Sequence, residues 1–260
     1  MAAAILETRN LTKTFGAVAA AANLSVEIAE DTVVGLIGGN GAGKTTFVNL
    51  VTGYLKPTSG SIRYRGRDIT HLSPRQVTQL GICRSFQMPQ LFNTLTSYEN
   101  LLVGTGILER AGGRWAAGGL EVSSAREAAE AMLVRFKLAD HRDSPAGTLP
   151  EGLRKLLDIS MALVVKPKVL LLDEPTSGVS AGEKFEIMDL VLQAVRAVGV
   201  TVLFVEHDME IVRRYTQRIL AFHEGRIIAD GVPEAVLADA EVGRLVVGEP
   251  PARAGTARPC

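Results

Sequence analysis

A glycine-rich stretch near the N-terminus has the composition of a phosphate-binding loop. It consists of Gly38, Gly39, Asn40, Gly41, Ala42, Gly43, Lys44, Thr45 and Thr46. This order satisfies the pattern G-x-x-x-x-G-K-[ST], in which glycines allow successive backbone N–H groups to turn toward one anion. In that pattern the Lys44 ammonium reaches the β- and γ-phosphates of a nucleotide, and the Thr45 hydroxyl ligates Mg²⁺. The stretch predicts a nucleotide phosphate site, with a ligand-free glycine turn as the alternative.

Two adjacent carboxylates follow an apolar run further along the chain. The run Val169–Leu172 has the pattern of a strand, and Asp173 and Glu174 come directly after it. A carboxylate at the end of a strand can hold Mg²⁺, usually through water, opposite the Thr45 hydroxyl. Glu174 is then placed to polarise an attacking water as a general base. An ordinary surface pair is the alternative, but behind a phosphate-binding loop the pattern favours nucleotide hydrolysis.

The elements that must position these residues alternate between strands and helices. The predicted strands are Val33–Ile37, Gly81–Phe86, Val169–Leu172, Thr201–Glu206 and Arg218–Phe222. Such alternation favours an α/β fold with a largely parallel sheet. The phosphate-binding loop follows the first of these strands and precedes a predicted helix, which is the context that the loop pattern requires.

Several helix starts show a Ser or Thr with Glu or Gln three positions later, the capping-box pattern. The pairs are Ser73 with Gln76, Thr96 with Glu99, Ser124 with Glu127, and Ser180 with Glu183. A further helix, Glu151–Val164, carries an apolar stripe that we expect to be buried. Residues 104–122 are rich in glycine and are expected to form a flexible loop, and residues 249–260 an unstructured tail.

Composition limits the possible functions. The 260 residues are 47% hydrophobic and 22% charged, which is ordinary for a soluble globular domain. The 28 basic and 28 acidic residues cancel, which argues against a strongly basic nucleic-acid binder but not against a local basic patch; we expect no nucleic-acid partner. The two cysteines argue against a disulfide framework and are compatible with a reducing compartment. We find no secretory signal and no apolar run near the roughly 20 residues that span a bilayer, so membrane work is expected from outside the lipid.

Taken in order, the motifs resemble those of the ATP-binding subunit of an ATP-binding cassette (ABC) transporter. After the phosphate-binding loop, Arg84–Gln87 is similar to the family's Q-loop, and Leu149–Leu153 lies where its signature motif is expected. The carboxylate pair continues into Asp173–Ser180, and Phe204–Asp208 is similar to the switch-histidine segment. An ordered series of motifs over nearly the whole chain is far more specific than any one of them.

The resemblance implies a role for each matching residue. Phe15 stands where an aromatic ring stacks on adenine, with a core or loop phenylalanine as the alternative. Gln87 is similar to the residue that senses Mg²⁺ and the attacking water, and His207 to the residue that contacts the γ-phosphate. Together with Lys44 and Glu174 they form the implied catalytic set, and ATP and Mg²⁺ are the implied cofactors.

In this family two cassettes dimerise head to tail, and the signature of one closes over the phosphates held by the other. The implied contact residues are Pro150, Glu151 and Gly152, at the start of a predicted helix. They depart from the usual Leu-Ser-Gly-Gly-Gln, because the serine hydroxyl is absent and Glu151 brings a negative charge. Ser180 likewise replaces the Asp common in the family's D-loop. We hypothesise that this subunit's own loop site is hydrolytic, whereas the site closed by its signature is weaker.

Within the family, parts of the chain resemble the branched-chain, or hydrophobic, amino-acid uptake group. The similar stretches are Phe86–Thr96, Tyr98–Leu102, Glu206–Met209 and Val246–Glu249. That group also includes importers of urea, short amides and some aromatic acids, so several cargoes stay open. The implied partners are a second ABC ATPase subunit, two integral-membrane permease subunits and an extracytoplasmic solute-binding protein. The chain would then be peripheral at the cytoplasmic face of the inner membrane.

The resemblance also implies a fold: α/β, a P-loop NTPase (RecA-like) core with an antiparallel β-subdomain and a helical subdomain. The ABC-type nucleotide-binding domain would span residues 1–248, with the helical subdomain inserted at about 88–150. Four apolar residues near its start are expected to line a groove for the permease, or else to pack the helical subdomain. They are Met88, Leu91, Phe92 and Leu95.

Three other classes stay open at this stage. A non-transport ABC ATPase acting as a nucleotide-dependent switch would share the phosphate-binding loop and the carboxylates. A P-loop kinase is disfavoured, because Gln87 and His207 are not expected in this order in such an enzyme. A subunit that binds ATP and works only as a structural switch is disfavoured by Glu174.

Overall fold

The computed structural model describes residues 4–111 and 120–248, whose strands form two sheets. The strands are β1 (Ala4–Phe15), β2 (Val18–Ala29), β3 (Val33–Gly38), β4 (Ser59–Tyr64), β5 (Arg67–Asp68), β6 (Ile82–Ser85), β7 (Val169–Asp173), β8 (Thr201–Val205), β9 (Arg218–His223) and β10 (Arg226–Gly231). The α-helices are α1 (Lys44–Val51), α2 (Pro74–Gln79), α3 (Ser97–Ala111), α4 (Leu120–Arg135), α5 (Glu151–Val164), α6 (Glu183–Arg196), α7 (Met209–Tyr215), α8 (Pro233–Ala238) and α9 (Ala240–Val242). Short helical turns lie at Ala139–His141, Ala146–Thr148 and Gly243–Val247.

The larger sheet is six-stranded and has the order β10-β9-β3-β8-β7-β6. Neighbouring strands from β9 to β6 are parallel, and the edge strand β10 pairs antiparallel with β9. Strands β3, β7 and β8 are buried along their whole length, as expected for parallel strands covered on both faces. The five predicted strands each agree with the observed ones to within a residue at either end, and the predicted α/β fold is confirmed.

The smaller sheet has the order β2-β1-β4-β5 and is antiparallel throughout. It is the expected antiparallel β-subdomain, built mainly from the first two strands of the chain. Its apolar residues pack with α1 and one face of the larger sheet into a single hydrophobic cluster. The helix that follows the phosphate-binding loop is therefore held between the two sheets.

Alternate residues of β7 face two different cores. Leu170 and Leu172 pack in the cluster that includes apolar residues of α5 and α6, whereas Val169 and Leu171 pack in the cluster with α1 and the smaller sheet. This alternation is the two-residue period of a strand buried on both faces. Because both faces are occupied, β7 is fixed in register, and its last residue, Asp173, is fixed with it.

The capping pattern predicted three local structures correctly and one wrongly. Reciprocal hydrogen bonds join Ser73 to Gln76, Thr96 to Glu99, and Ser180 to Glu183. Ser124 does not start a helix, because α4 already begins at Leu120. Good helix formers such as Leu120 and Glu121 precede it, and Ser and Glu three residues apart are also compatible with a helix interior.

The prediction of a flexible loop at residues 104–122 is wrong for most of that segment. Helix α3 continues to Ala111 and α4 begins at Leu120, while residues 112–119 lie outside the described residues, as does the predicted tail at 249–260. Gly104 has a packing role: a Cβ there would lie 3.0 Å from Val164 Cγ1 of α5. The glycine thus allows close helix contact. Among the described helices, none combines the length and apolar character needed to cross a bilayer.

Candidate nucleotide-binding site

The phosphate-binding loop connects β3 to α1 and requires glycine at particular positions. Gly43, directly before α1, has φ 107°, and a Cβ there would lie 2.6 Å from the Ala20 carbonyl oxygen. Gly38 has φ 153°, and its Cβ would lie 2.5 Å from the Phe222 carbonyl oxygen. Any larger residue would collide with backbone at both positions, so β2 and β9 fix the shape of the loop.

Lys44 folds back over this loop. Its Nζ donates hydrogen bonds to the carbonyl oxygens of Gly38, at 2.6 Å, and Gly39, at 3.0 Å. The side chain is buried, and burial lowers the pKa of Lys44 while the charges of Glu174 and Asp173 oppose that shift. A buried ammonium whose partners are two neutral carbonyls is suited to exchange them for the oxygens of an anion.

Glu174 and His207 share a cavity with the phosphate-binding loop. The cavity measures about 130 Å³ and is lined by Val205, by those two residues and by the loop residues from Asn40 to Thr46. Glu174 follows β7 and His207 follows β8, which are adjacent parallel strands. Both side chains therefore lie at the carboxyl edge of the sheet, where sequence reasoning placed the carboxylates and the loop.

The Glu174 carboxylate is held from two sides. Gln87 Nε2 donates to Glu174 Oε2 at 2.8 Å, and His207 Nε2 lies 3.1 Å from Glu174 Oε1. Glu174 itself has φ 49°, a left-handed conformation that is uncommon for residues other than glycine. The predicted catalytic residues Gln87, Glu174 and His207 thus form one hydrogen-bonded group beside Lys44.

Arg84 is a site residue that the motifs did not single out. One of its terminal nitrogens donates to Asp173 Oδ2 at 2.6 Å and the other to Asn49 Oδ1 at 2.5 Å. Both side chains of the Arg84–Asp173 pair are almost fully buried. Arg84 therefore ties the acidic end of β7 to the helix that follows the phosphate-binding loop. An arginine inside the predicted strand Gly81–Phe86 was the signal that could have identified it.

Phe15 lies at the end of β1, where it pairs with Val18 of β2. Its side chain is 52% exposed, and Lys13 Nζ lies 5.2 Å from the ring centroid. The nearby residue Ala20 of β2 contacts the phosphate-binding loop, as described above. The ring is therefore exposed on the strand pair that borders the loop, and it is not packed in a core.

The signature residues are not among those that line the phosphate-loop cavity of the same chain. Pro150 caps the N-terminus of α5, and Glu151 Oε2 lies 3.7 Å from Arg154 Nε. Pro150 and Gly152 line a different cavity, of about 370 Å³, between α5 and α6. Within the described residues, the structure does not bring these residues to the Glu174 cavity.

A parallel sheet with a glycine-lined phosphate loop after β3 and a carboxylate pair after β7 defines a P-loop nucleoside triphosphatase. Residues 21–177 match the family model described as ABC transporter. The branched-chain amino acid transport ATP-binding protein LivG of Salmonella typhimurium is 35% identical over 259 residues, covering 96% of this chain and 100% of LivG. The chain belongs to the ABC transporter family, as its ATP-binding, ATP-hydrolysing cassette.

Solved structures agree with this assignment. The ADP conformation of MJ1267, an ATP-binding cassette of an ABC transporter, superimposes with a TM-score of 0.81 at 34% identity, covering 93% of this chain and 97% of MJ1267. A dimeric post-hydrolysis state of the cassette MJ0796, bound to ADP and phosphate, has a TM-score of 0.75 at 25% identity, covering 88% of this chain and 98% of MJ0796. The predicted P-loop NTPase core is confirmed at the level of the whole fold.

Proposed function

We propose that this chain hydrolyses magnesium-ATP to power import of a branched-chain or hydrophobic amino acid, or a related amide or acid, through separate permease subunits. The observation that carries the hydrolytic part is the Glu174 carboxylate, held by Gln87 and His207 in the cavity of the phosphate-binding loop. The cargo class is supported by the LivG relative, which is named for branched-chain amino acid transport.

Each site residue receives a role from its position. The loop N–H groups and Lys44 bind the phosphates, and the exposed ring of Phe15 stacks on adenine. Glu174 accepts a proton from the attacking water, and His207 and Gln87 orient its carboxylate. Catalysis then rests on positioning the water in line with the γ-phosphate and on neutralising developing charge.

The residues proposed for Mg²⁺ fit the chemistry of that ion. Thr45, Asp173 and Gln87 offer hydroxyl, carboxylate and amide oxygens, the donor type that Mg²⁺ prefers. Thr45 is exposed at the start of α1, while Arg84 fixes the Asp173 carboxylate. When bound, the ion neutralises charge on the phosphate oxygens.

The signature segment is proposed to act on a second cassette, identical or homologous. Pro150 and Gly152 line a cavity other than the loop cavity of their own chain, which supports this role, as does the dimeric MJ0796 structure. The N-terminus of α5 offers N–H groups to an anion, but the segment lacks a serine hydroxyl and carries the half-exposed Glu151. With a homologous, non-identical second cassette we therefore propose unequal sites, the weaker one closed by Pro150, Glu151 and Gly152, whereas two copies of this chain would form two equivalent sites.

The permease surface is proposed to lie beside the Gln87 loop. Met88 is 74% exposed and Phe92 is 51% exposed, which is unusual for large apolar side chains this close together in sequence. Leu91 is half-buried against the core and supports the segment from beneath. In this account the chain is one domain, residues 1–248, with its helical subdomain at about 88–150. It is peripheral at the cytoplasmic face of the membrane, and a solute-binding protein completes the system.

Solute uptake in the source organism tests this function. Cells lacking the gene are complemented with wild type or with Glu174→Gln, and uptake of radiolabelled leucine, urea and a short amide is compared. We expect only wild type to restore uptake, and leucine to respond most. Membranes from the wild-type strain should yield two multi-span proteins bound to the chain. Normal uptake of all three solutes in the deletion strain would contradict the transport role.

A further inference from the structure

Lys155 of α5 is a buried cation that contacts two segments of the proposed catalytic site, one at Gln87 and one from Glu174 to Ser177. Its Nζ donates to the carbonyl oxygen of Gln87 at 3.3 Å, to the carbonyl oxygen of Glu174 at 3.1 Å and to Ser177 Oγ at 2.9 Å. The residue is only 4% exposed. An ammonium group has three donors, so these bonds use its full hydrogen-bonding capacity.

The burial of this ammonium is unfavourable by itself. Desolvation lowers the pKa of Lys155, and the charges that oppose the shift come from Glu151, Glu206, Glu174 and Asp158. Among the described residues, no carboxylate oxygen lies within 4.0 Å of its Nζ, so its direct partners are neutral oxygens. An apolar side chain at this buried position would avoid the desolvation free energy of an ammonium group. The presence of a lysine there therefore indicates a specific role for its three hydrogen bonds.

One of those bonds holds Glu174 in its unusual backbone conformation. A non-glycine residue at φ 49° persists only when its surroundings fix it. Lys155 holds the Glu174 carbonyl, while the Glu174 N–H donates to the Val205 carbonyl at 3.0 Å. The peptide groups on both sides of the residue are therefore fixed, and this directs the Glu174 side chain toward the phosphate-binding loop.

Asp158, three residues later on α5, holds the segment around Gln87. Its Oδ1 accepts a hydrogen bond from the Gln90 N–H at 2.9 Å, and its Oδ2 accepts one from the Phe86 N–H at 3.4 Å. Residues three apart share a helix face, so Lys155 and Asp158 reach the same segment from one side. Gln87, which donates to Glu174, is held between them.

We propose that Lys155 is a positioning residue for hydrolysis, which with Asp158 locks the Gln87 segment and the Glu174 backbone to α5. The signature residues lie at the start of α5. Lys155 therefore links the signature to the Glu174 carboxylate within the same chain. Movement of α5 when the signature engages a second cassette then alters the placement of Glu174. The inference rests on the proposed role of Glu174 as general base.

The test compares Lys155→Met with wild type in ATP turnover and in nucleotide binding. Methionine keeps the buried stem but has no donors, so we expect kcat to fall about tenfold to a hundredfold through misplacement of Glu174. The Kd for magnesium-ATP should be unchanged, because the phosphate-binding loop is untouched. Lys155→Arg keeps charge and donors and should recover part of kcat. The control Lys168→Met removes an exposed lysine at the other end of β7 and should match wild type.

Three outcomes decide the matter. A kcat for Lys155→Met equal to that of Lys168→Met would overturn the proposal. It would also be overturned if Lys155→Met lost ATP binding and thermal stability together while Ser177→Ala kept the wild-type kcat. Ser177→Ala removes one acceptor from a half-exposed position and is expected to lower kcat about fivefold without lowering the melting temperature. Glu174→Gln separates the two proposals: full activity in that variant would contradict the base itself, not only its positioning.

Discussion

Glu174 Oε1 and His207 Nε2 lie 3.1 Å apart, although the two residues are 33 positions apart in the chain. The contact exists because β7 and β8 are adjacent and parallel, so the residues that follow them leave the sheet at the same edge. That edge also carries the phosphate-binding loop after β3. The hydrogen-bonded group of Gln87, Glu174 and His207 is thus a consequence of strand order, and each of its residues can be altered separately.

Lys44→Met should weaken nucleotide binding without weakening the fold. Loss of a charged donor to phosphate is expected to raise the Kd for ATP by about tenfold to a hundredfold. Because burial lowers the pKa of Lys44, the charged form is disfavoured in the native state, so the free energy of unfolding should not fall. Isothermal titration and urea unfolding of the ligand-free chain measure the two quantities. Unchanged ATP affinity would contradict the assigned role.

Arg84→Met should destabilise the chain strongly. It leaves the buried Asp173 carboxylate without its ion-pair partner, and breaking a buried pair costs about 3–5 kcal/mol. Urea unfolding of wild type and variant measures the difference. The surface pair of Lys137 and Glu186 offers a control, because Lys137→Met removes an exposed ion pair, worth at most about 1 kcal/mol. Equal effects of the two substitutions would show that Arg84 does not stabilise Asp173.

The Asp208–Lys184 ion pair predicts a pH dependence of stability. The hydrogen bond from Lys184 lowers the pKa of Asp208, whose carboxylate also caps α7. A depressed carboxyl pKa adds stability that is present above the ordinary value of about 3.9 and is lost as pH falls through the native value. Asp208→Asn keeps a capping oxygen, so its deficit in unfolding free energy should be constant near neutral pH and shrink below about pH 4. A deficit that grows on acidification would contradict the pairing.

Restoring the signature should strengthen closure of the second site. The double substitution Pro150→Ser and Glu151→Gly adds a hydroxyl and removes a negative charge from the start of α5. We expect about tenfold tighter ATP-dependent dimerisation, since a hydrogen bond to a charged group contributes that order of free energy. Sedimentation in a Glu174→Gln background, which prevents turnover, measures it. An unchanged dimer affinity would show that these two departures do not weaken the site.

Local patterns in the sequence predicted the parallel strands, the phosphate-binding loop and the residues at the edge of the sheet. Glycine spacing and apolar runs specify these directly, because a buried parallel strand needs an uninterrupted apolar sequence. The family resemblance supplied the remaining site residues, and the structure places Gln87, Glu174 and His207 in contact.

Other features depended on tertiary contacts that no local pattern contains. Arg84 and Lys155 acquire their roles from partners far away in the chain. The position of Arg84 inside a predicted strand was a local signal, but neither its partners nor those of Lys155 could be identified from neighbours in sequence. Gly104 indicated a loop by composition but lies in α3, where its small size allows contact with α5. Ser124 had the residues of a capping box inside a helix that was already formed. At Gly104 and Ser124, the surrounding helix and its packing determined the structure, and the local sequence pattern did not.

The central claim is that the Glu174 carboxylate activates the water that attacks ATP held by the phosphate-binding loop. Its most direct test is single-turnover hydrolysis of magnesium-ATP by wild type and Glu174→Gln, with the Kd for ATP measured alongside. Glutamine keeps the size of the side chain and one of its two accepting oxygens but is a far weaker base, so the rate should fall by about a hundredfold or more while the Kd stays the same. A Glu174→Gln rate equal to wild type, at equal ATP occupancy, would contradict the account.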